Sequence, residues 1–321
     1  MNGEDRAFNL TNDQLGYKKF ELMRIPLFIL SHLLLLTSFS IAQRDFSQVE
    51  IKVTQVTDRI FMMEGSGGNI AVLIGDDGTV MIDDQFAPLS DKIKVAITAL
   101  TEHPVTYVLN THWHGDHTGG NENFGKDGAI IVAHENVRQR LSSENILKAF
   151  DRSVPAAPEA AWPQITFQDD MKIHFNEEDI LLMHIHNAHT DGDAFIYFMN
   201  QNVLHMGDCF FNSRFPYIDL GSGGSIDGAI EAVEAALMLT DTKTMIIPGH
   251  GKLARKSDLL KYYTMLVTMK SRVMDAMADG NTLEEMKAAG LDKGYESWGQ
   301  AFISGGRFID IIWSDYNREK E

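Results

Sequence analysis

The stretch Asn110-Thr-His-Trp-His-Gly-Asp-His-Thr-Gly-Gly120 decides how this 321-residue chain is read. Three histidines and an aspartate fall within the six positions from His112 to His117. Packing alone gives no reason for such spacing. Imidazole and carboxylate together suit a borderline cation such as zinc, which takes histidine nitrogen at about 2.0–2.1 Å and carboxylate oxygen at about 2.0–2.2 Å. His112 and His114 are two apart, so on extended backbone they point the same way. Asp116 and His117 are then placed to face a second ion across a tight turn at Gly115, and Gly119 and Gly120 predict a close approach where the next helix starts.

Working outward, the apolar run 105–109 reads as a buried strand, so the histidine cluster occupies the loop that follows it, where a rigid strand can present side chains. Upstream, residues 49–56, 59–63, 70–74 and 80–82 have strand character and are punctuated by Gly65-Ser-Gly-Gly68 and Gly75-Asp-Asp-Gly78, a hairpin pattern. Residues 88–100 read as a helix from their apolar spacing. Downstream come a strand at 130–133, a helix at 135–150, and an extended connection at 153–163 with three prolines and four alanines. Strands are expected again at 171–175, 180–186, 194–198 and 203–205, then a helix at 229–239, a strand at 245–247, and helices at 257–277 and 283–289. Strands followed by a helix thus occur twice. The class this predicts is α/β, two packed sheets with helices outside, an αββα four-layer sandwich.

Composition bounds the function. The formal charge is −17, with no Lys/Arg cluster, which argues against a nucleic-acid groove. A single cysteine, Cys209, excludes an intrachain disulfide; it reads as a small buried hydrophobe rather than a ligand. The apolar run 25–41 follows Lys18, Lys19 and Arg24 and ends in Ser40-Ile-Ala42, a small-x-small cleavage pattern. Residues 1–42 are therefore expected to be a leader with a signal peptide directing secretion or periplasmic export; the alternative is a membrane anchor through residues 25–41. Residues 43–255 are expected to form the main domain. Residues 256–321, with Tyr262, Trp298, Phe302, Phe308 and Trp313, are expected to be a helical extension packed on that domain, with a lid or an oligomer surface as the sharper reading.

Three downstream positions complete the opening cluster: His189 in Asn187-Ala-His-Thr-Asp-Gly-Asp193, Asp208 in Met206-Gly-Asp-Cys209, and His250 in Pro248-Gly-His-Gly251. Each ends an apolar run, so all three can reach one rim. With these motifs the chain resembles the metallo-beta-lactamase superfamily over about residues 53–251. The resemblance implies two zinc ions. His112, His114 and His189 resemble the first site, and Asp116, His117 and His250 the second. Asp208 resembles the residue that can bridge both, and Asp83 resembles an early aspartate that supports the ligands from outside.

The implied function is a secreted zinc-dependent hydrolase using metal-bound hydroxide, with Asp116 orienting that hydroxide. A beta-lactamase-like cyclic amide hydrolase is one substrate reading. An ester, thioester or lactone hydrolase is another, and a non-catalytic metal-binding protein on the same scaffold is the third. Beta-lactamases with a cysteine ligand follow it with a lysine for the drug carboxylate; here Asp208 stands at that position and no such lysine follows, leaving Arg214 as a substitute. His134, His184, His186 and His205 are assigned structural or supporting roles. Phe210, Phe211, Phe215 and Tyr217 suggest an apolar wall or core. The expected partner is a small-molecule substrate, with no nucleic acid, no membrane once the signal is removed, and an oligomer formed through the C-terminal part as an option.

Overall fold

Glycine turns between short apolar runs leave the chain few options other than paired strands, and the computed structural model, which describes residues 45–147 and 151–318, shows them paired. Strands β1 (Lys52–Gln55), β2 (Ile60–Glu64), β3 (Ile70–Gly75) and β4 (Gly78–Ile82) form an antiparallel meander. Strands β5 (Val105–Leu109) and β6 (Ile130–His134) then add in parallel, as required when helices make the crossovers. Those crossovers carry α1 (Ser90–Thr98), then α2 (Gly115–Thr118) and α3 (Asn121–Lys126). After α4 (Glu135–Leu141) and a small hairpin of β7 (Asn145–Leu147) and β8 (Arg152–Val154), β9 (Ile165–Phe167) closes the first sheet beside β6. The second sheet has the order β10 (Asp170–Phe175), β11 (Glu178–Ile185), β12 (Asp193–Phe198), β13 (Val203–His205), β14 (Met245–Ile247), β15 (Ala254–Arg255).

Period-two alternation makes the layers. On β4, Val80 and Ile82 face a core shared with Ile196 and Phe198 of β12 and Val203 of β13, whereas Met81 faces the opposite way with Ile93 and Ile97 of α1. On β12, Phe195 faces outward with Leu204 of β13 into a cluster shared with α5 (Ile226–Leu239), α6 (Lys256–Ala278) and α8 (Gly305–Arg318); α7 (Leu283–Ala288) lies between the last two in sequence. Helices therefore cover the outer faces of both sheets, giving the αββα sandwich. The strands read as continuous apolar runs because both of their faces are buried.

Two local expectations differ from the structure, and two short strands were not expected. The helix over 135–150 stops at Leu141, because Ser142 and Ser143 turn their hydroxyls onto Gln139 O and Asn145 caps Arg140 O, so side chains compete with helical backbone bonds. The extended connection at 153–163 contains strand β8 and a 3-10 turn at Glu159–Ala161. Strands β9 and β15, of three and two residues, are too short to carry a periodic signal. The leader proposed for residues 1–42 lies outside the described residues. Among the described residues, no helix is long and apolar enough to cross a membrane.

Helix α8 is tied to the second sheet's outer layer by Phe308, fully buried and stacked on Phe215 at 5.1 Å between ring centroids. Phe308→Ala is expected to lower unfolding free energy by about 3–5 kcal/mol, measured as a reduced midpoint with unchanged slope in urea denaturation.

Candidate metal centre

The opening motif is held by the end of β5. Asn110 donates its backbone N–H to Val132 O and exchanges side-chain hydrogen bonds with Asn121, at 2.9 and 3.1 Å, so the loop leaves its strand in one direction. Thr111 donates both N–H and hydroxyl to Asp83, at 2.8 and 2.7 Å. His114 then precedes the single turn of α2, on which Asp116 and His117 lie. Gly115 has open space where a Cβ would stand, so it imposes no tight turn; the constrained position is Gly119, whose Cβ would lie 2.5 Å from Gly115 O and 2.7 Å from Gln85 O.

The second sheet supplies the other half. His189 follows β11, Asp208 sits in the 3-10 turn Gly207–Cys209 after β13, and His250 follows β14. Asn69 joins the two sheets at this rim: its N–H donates to Gly249 O at 2.7 Å and its side-chain amide to Pro248 O and Gly251 O. Two contacts exclude any side chain larger than hydrogen. A Cβ on Gly68 would lie 2.1 Å from the His117 ring, and one on Gly249 would lie 2.1 Å from Asp208 Oδ1.

All seven residues meet there. His112, His114, His189 and Asp208 form one group with converging donor atoms, and Asp116, His117 and His250 form a second. Asp208 stands between them: Oδ2 is 3.5 Å from His189 Nε2 and 3.9 Å from His112 Nε2, while Oδ1 is 3.1 Å from His117 Nε2 and 3.3 Å from His250 Nε2. His112 Nε2, His117 Nε2 and Asp208 Oδ1 are buried without a hydrogen bond. Buried polar atoms normally find a partner, so three orphans aimed at common points fit divalent cations.

The outward nitrogens are fixed. His117 Nδ1 donates to Asp83 at 2.7 Å, His189 Nδ1 donates to Tyr217 O at 2.8 Å, and His112 Nδ1 lies 3.1 Å from the Thr111 hydroxyl. His114 is turned the other way, with Nε2 on Asp219 at 3.0 Å, so its Nδ1 points inward. Sequence reading found Asp83 but missed Asp219, Thr111 and the Tyr217 carbonyl. The side chain of Asp219 lies in a glycine-rich stretch, where a carboxylate reads as a turn former, and Oδ1 does accept from Gly221 N at 3.1 Å.

Other candidates fall elsewhere. Cys209 is buried with its thiol 3.6 Å from Asp193, and burial pushes that thiol well above its usual range, so it stays neutral. His205 is used structurally, on Asn69 O and Gly207 N. His184 stacks on His134 at 3.7 Å and donates to Asp193 O, and Asp193 in turn accepts from His189 N; its support for the site is therefore indirect. His186 packs edge-on against His184 and is exposed. Arg214 is exposed, and no hydrogen bond or ion pair links its guanidinium to the cluster among the described residues.

The sequence model of the metallo-beta-lactamase superfamily matches residues 63–250, from β2 to His250. The chain belongs to that superfamily. Curated relatives include the 2,4-dinitroanisole O-demethylase subunit alpha of Nocardioides sp. (strain JS1661), 27% identical over 50% of this chain and 44% of its own length. Another is the hydroxyacylglutathione hydrolase of Pelagibacter ubique (strain HTCC1062), 29% identical over 45% of this chain and 51% of its own. The chain thus spans about half the length of these relatives. Among solved structures, a stereoselective inverting sec-alkylsulfatase from Pseudomonas sp. superposes with a TM-score of 0.61 at 16% identity, covering 84% of this chain and 50% of its own. A metallo-beta-lactamase from Pontibacter korlensis superposes with a TM-score of 0.57 at 17% identity, covering 68% and 99%. At these identities the superpositions establish the shared fold.

Charge separates the two halves of this superfamily site. Burial, together with neighbouring histidines, holds His112 well below the ordinary histidine range, and burial with His114 brings His189 down to about 4, so both present neutral nitrogen. Burial acts the same way on His117 and His250, but the carboxylates outweigh it. Asp208, Asp83 and Asp116 raise His117 well above its usual value, and Asp208 and Asp116 raise His250 to about 9. Asp208 is lowered well below the usual carboxylate range because His250 and His117 overcome its desolvation. A cation entering the second group must displace the protons on His117 and His250. Calorimetric titration of zinc into metal-free protein at pH 7 in buffers of different ionisation enthalpy should therefore report proton release, and second-site affinity should climb as pH rises through the raised His250 and His117 values. Asp219→Ala should weaken first-site affinity by about 10–100-fold in chelator competition, because His114 loses the group that orients it.

Proposed function

We propose that this chain is a zinc-dependent hydrolase with two metal sites that cleaves an ester- or thioester-type acyl bond of a small molecule. The single observation that carries the reading is the position of Asp208, a buried carboxylate within 3.1–3.9 Å of four inward histidine nitrogens from both groups. When bound, the two ions would supply Lewis acidity toward a substrate carbonyl and an acidified water as nucleophile.

The chain's own residues divide the remaining work. His112, His114 and His189 offer three inward nitrogens with outer positions already fixed, so little reorganisation accompanies binding. Asp116 differs from Asp208 in exposure, with 27% of its side chain accessible against 5%. Asp116 is thus the more open carboxylate, with Oδ2 3.4 Å from His250 Nε2, and can orient an attacking water by accepting its hydrogen bond. Hydroxyacylglutathione hydrolase among the relatives supports an acyl substrate. For a beta-lactam, the carboxylate anchor would fall to Arg214, whose guanidinium has no tie to the cluster among the described residues; a neutral acyl substrate needs no such anchor.

Chelation should remove hydrolysis in a screen of 4-nitrophenyl esters, thioesters, lactones and nitrocefin, and zinc should restore it. His114→Ala and Asp208→Ala should each reduce turnover by more than about 100-fold, beyond the cost of losing an orienting partner. Undiminished turnover in protein stripped of metal would refute the reading. The same proposal places the enzyme outside the cytoplasm on the strength of residues 25–41, and N-terminal sequencing of the exported protein should then begin at Gln43.

A further inference from the structure

Helix α4 follows β6 of the first sheet, yet two of its side chains reach the second-sheet loop that carries His189. The Arg140 guanidinium forks onto the Asp191 carboxylate, with Nε 2.8 Å from Oδ1 and Nη2 on Oδ2. One turn earlier, Asn136 donates its side-chain amide to Asp191 O at 2.7 Å. Asp191 lies two residues past His189, and its own N–H donates to Ser222 O at 2.8 Å. Ser222 belongs to the loop of Asp219, whose N–H donates to His189 O at 2.9 Å and whose carboxylate holds His114. These two loops touch backbone to backbone, since a Cβ on Gly224 would stand 2.3 Å from His189 O. Arg140 also reaches the opening motif. Its guanidinium carbon lies 5.7 Å from the centre of the Trp113 ring, and Trp113 stands between His112 and His114. Trp113 is 3% exposed and its Nε1 has no hydrogen-bond partner among the described residues, so packing and the guanidinium set the ring's position. One cation thus touches both segments that supply the first group's histidines. Among the described residues, no hydrogen bond, ion pair or ring contact joins Arg140 to α2, with Asp116 and His117, or to the His250 loop.

We propose that Arg140 is a positioning residue for the first metal site: by clasping Asp191 and covering Trp113, it fixes the separation of the His189 loop from the His112–His114 segment. That separation sets how well three histidines from two sheets converge on one cation. A planar fork on a carboxylate holds direction as well as distance, which a single ammonium does not. This inference rests on the two-metal part of the proposed function and is independent of the bond cleaved.

The test measures zinc affinity by chelator competition in two single-site forms of the full chain: His250→Ala, which keeps the first group, and His189→Ala, which keeps the second. Arg140→Met retains the apolar stem without the fork. It is expected to weaken zinc binding about tenfold in the His250→Ala form and by less than about twofold in the His189→Ala form, the loss of an outer partner falling on the ligands it orients. Arg140→Lys keeps a charge near Trp113 but cannot fork, so it should show the same selective loss even if Arg140→Met folds poorly. Asp191→Asn should also weaken the first site, and adding Arg140→Met to it should cost little more, because both changes break one pair. Equal losses in the two forms would mark a general structural role and overturn the inference. Undiminished first-site affinity, or fully additive losses from Arg140→Met and Asp191→Asn, would overturn it too. Failure of either single-site form to bind zinc with Arg140 in place refutes the two-metal reading itself, and the inference with it.

Discussion

The buried Asp208 carboxylate is the constraint on which the arrangement depends. An ionised carboxylate inside an apolar sandwich is stable only if charge and hydrogen-bond donors surround it. His117 and His250 do so at Oδ1, retaining protons well above the usual histidine range to supply that charge. The close approach of Gly249, with no room for a Cβ, shows how tightly the β14 loop closes over the carboxylate. A divalent cation replaces those protons with stronger charge at the same place, which is why the geometry serves metal binding and stability together.

That carboxylate also explains why the site spans both sheets. The first sheet contributes His112, His114, Asp116 and His117 through the loop after β5; the second contributes His189, Asp208 and His250 through loops after three different strands. Neither half holds a full set. Asn69 ties the two rims with backbone and side-chain hydrogen bonds to residues 248–251, and the His205 ring meets the Asn69 carbonyl at 3.1 Å. The shared apolar core between the sheets thus aligns the ligands, so packing far from the centre acts on metal geometry through the loop ends.

Much of this was legible in residue order. Strands buried on both faces announce themselves as short apolar runs between glycines, and the loop motif names its donors by type and spacing. Less was legible where structure depends on competition between local bonds or on distant neighbours. The helix after β6 carried an acceptable helical pattern, yet Ser142, Ser143 and Asn145 ended it through side-chain bonds. Helix α8 lies inside the segment 256–321 expected to be a helical extension, but its bounds at Gly305–Arg318 are not among the expected helices.

What the sequence by itself determined is the chemistry: imidazole and carboxylate donors, their grouping near strand ends, and the sandwich that brings those ends together. Only the tertiary structure decided which nitrogen of each histidine faces inward. His114 turns opposite to His117 because Asp219, 105 residues away, holds its Nε2, whereas Asp83 holds Nδ1 of His117. The clasp of Arg140 on Asp191, 51 residues away, is likewise a contact between distant segments. Local spacing records which groups a chain can offer. Contacts across a hundred residues leave no local periodicity, so orientation and the shape of the cleft emerge only when the layers pack.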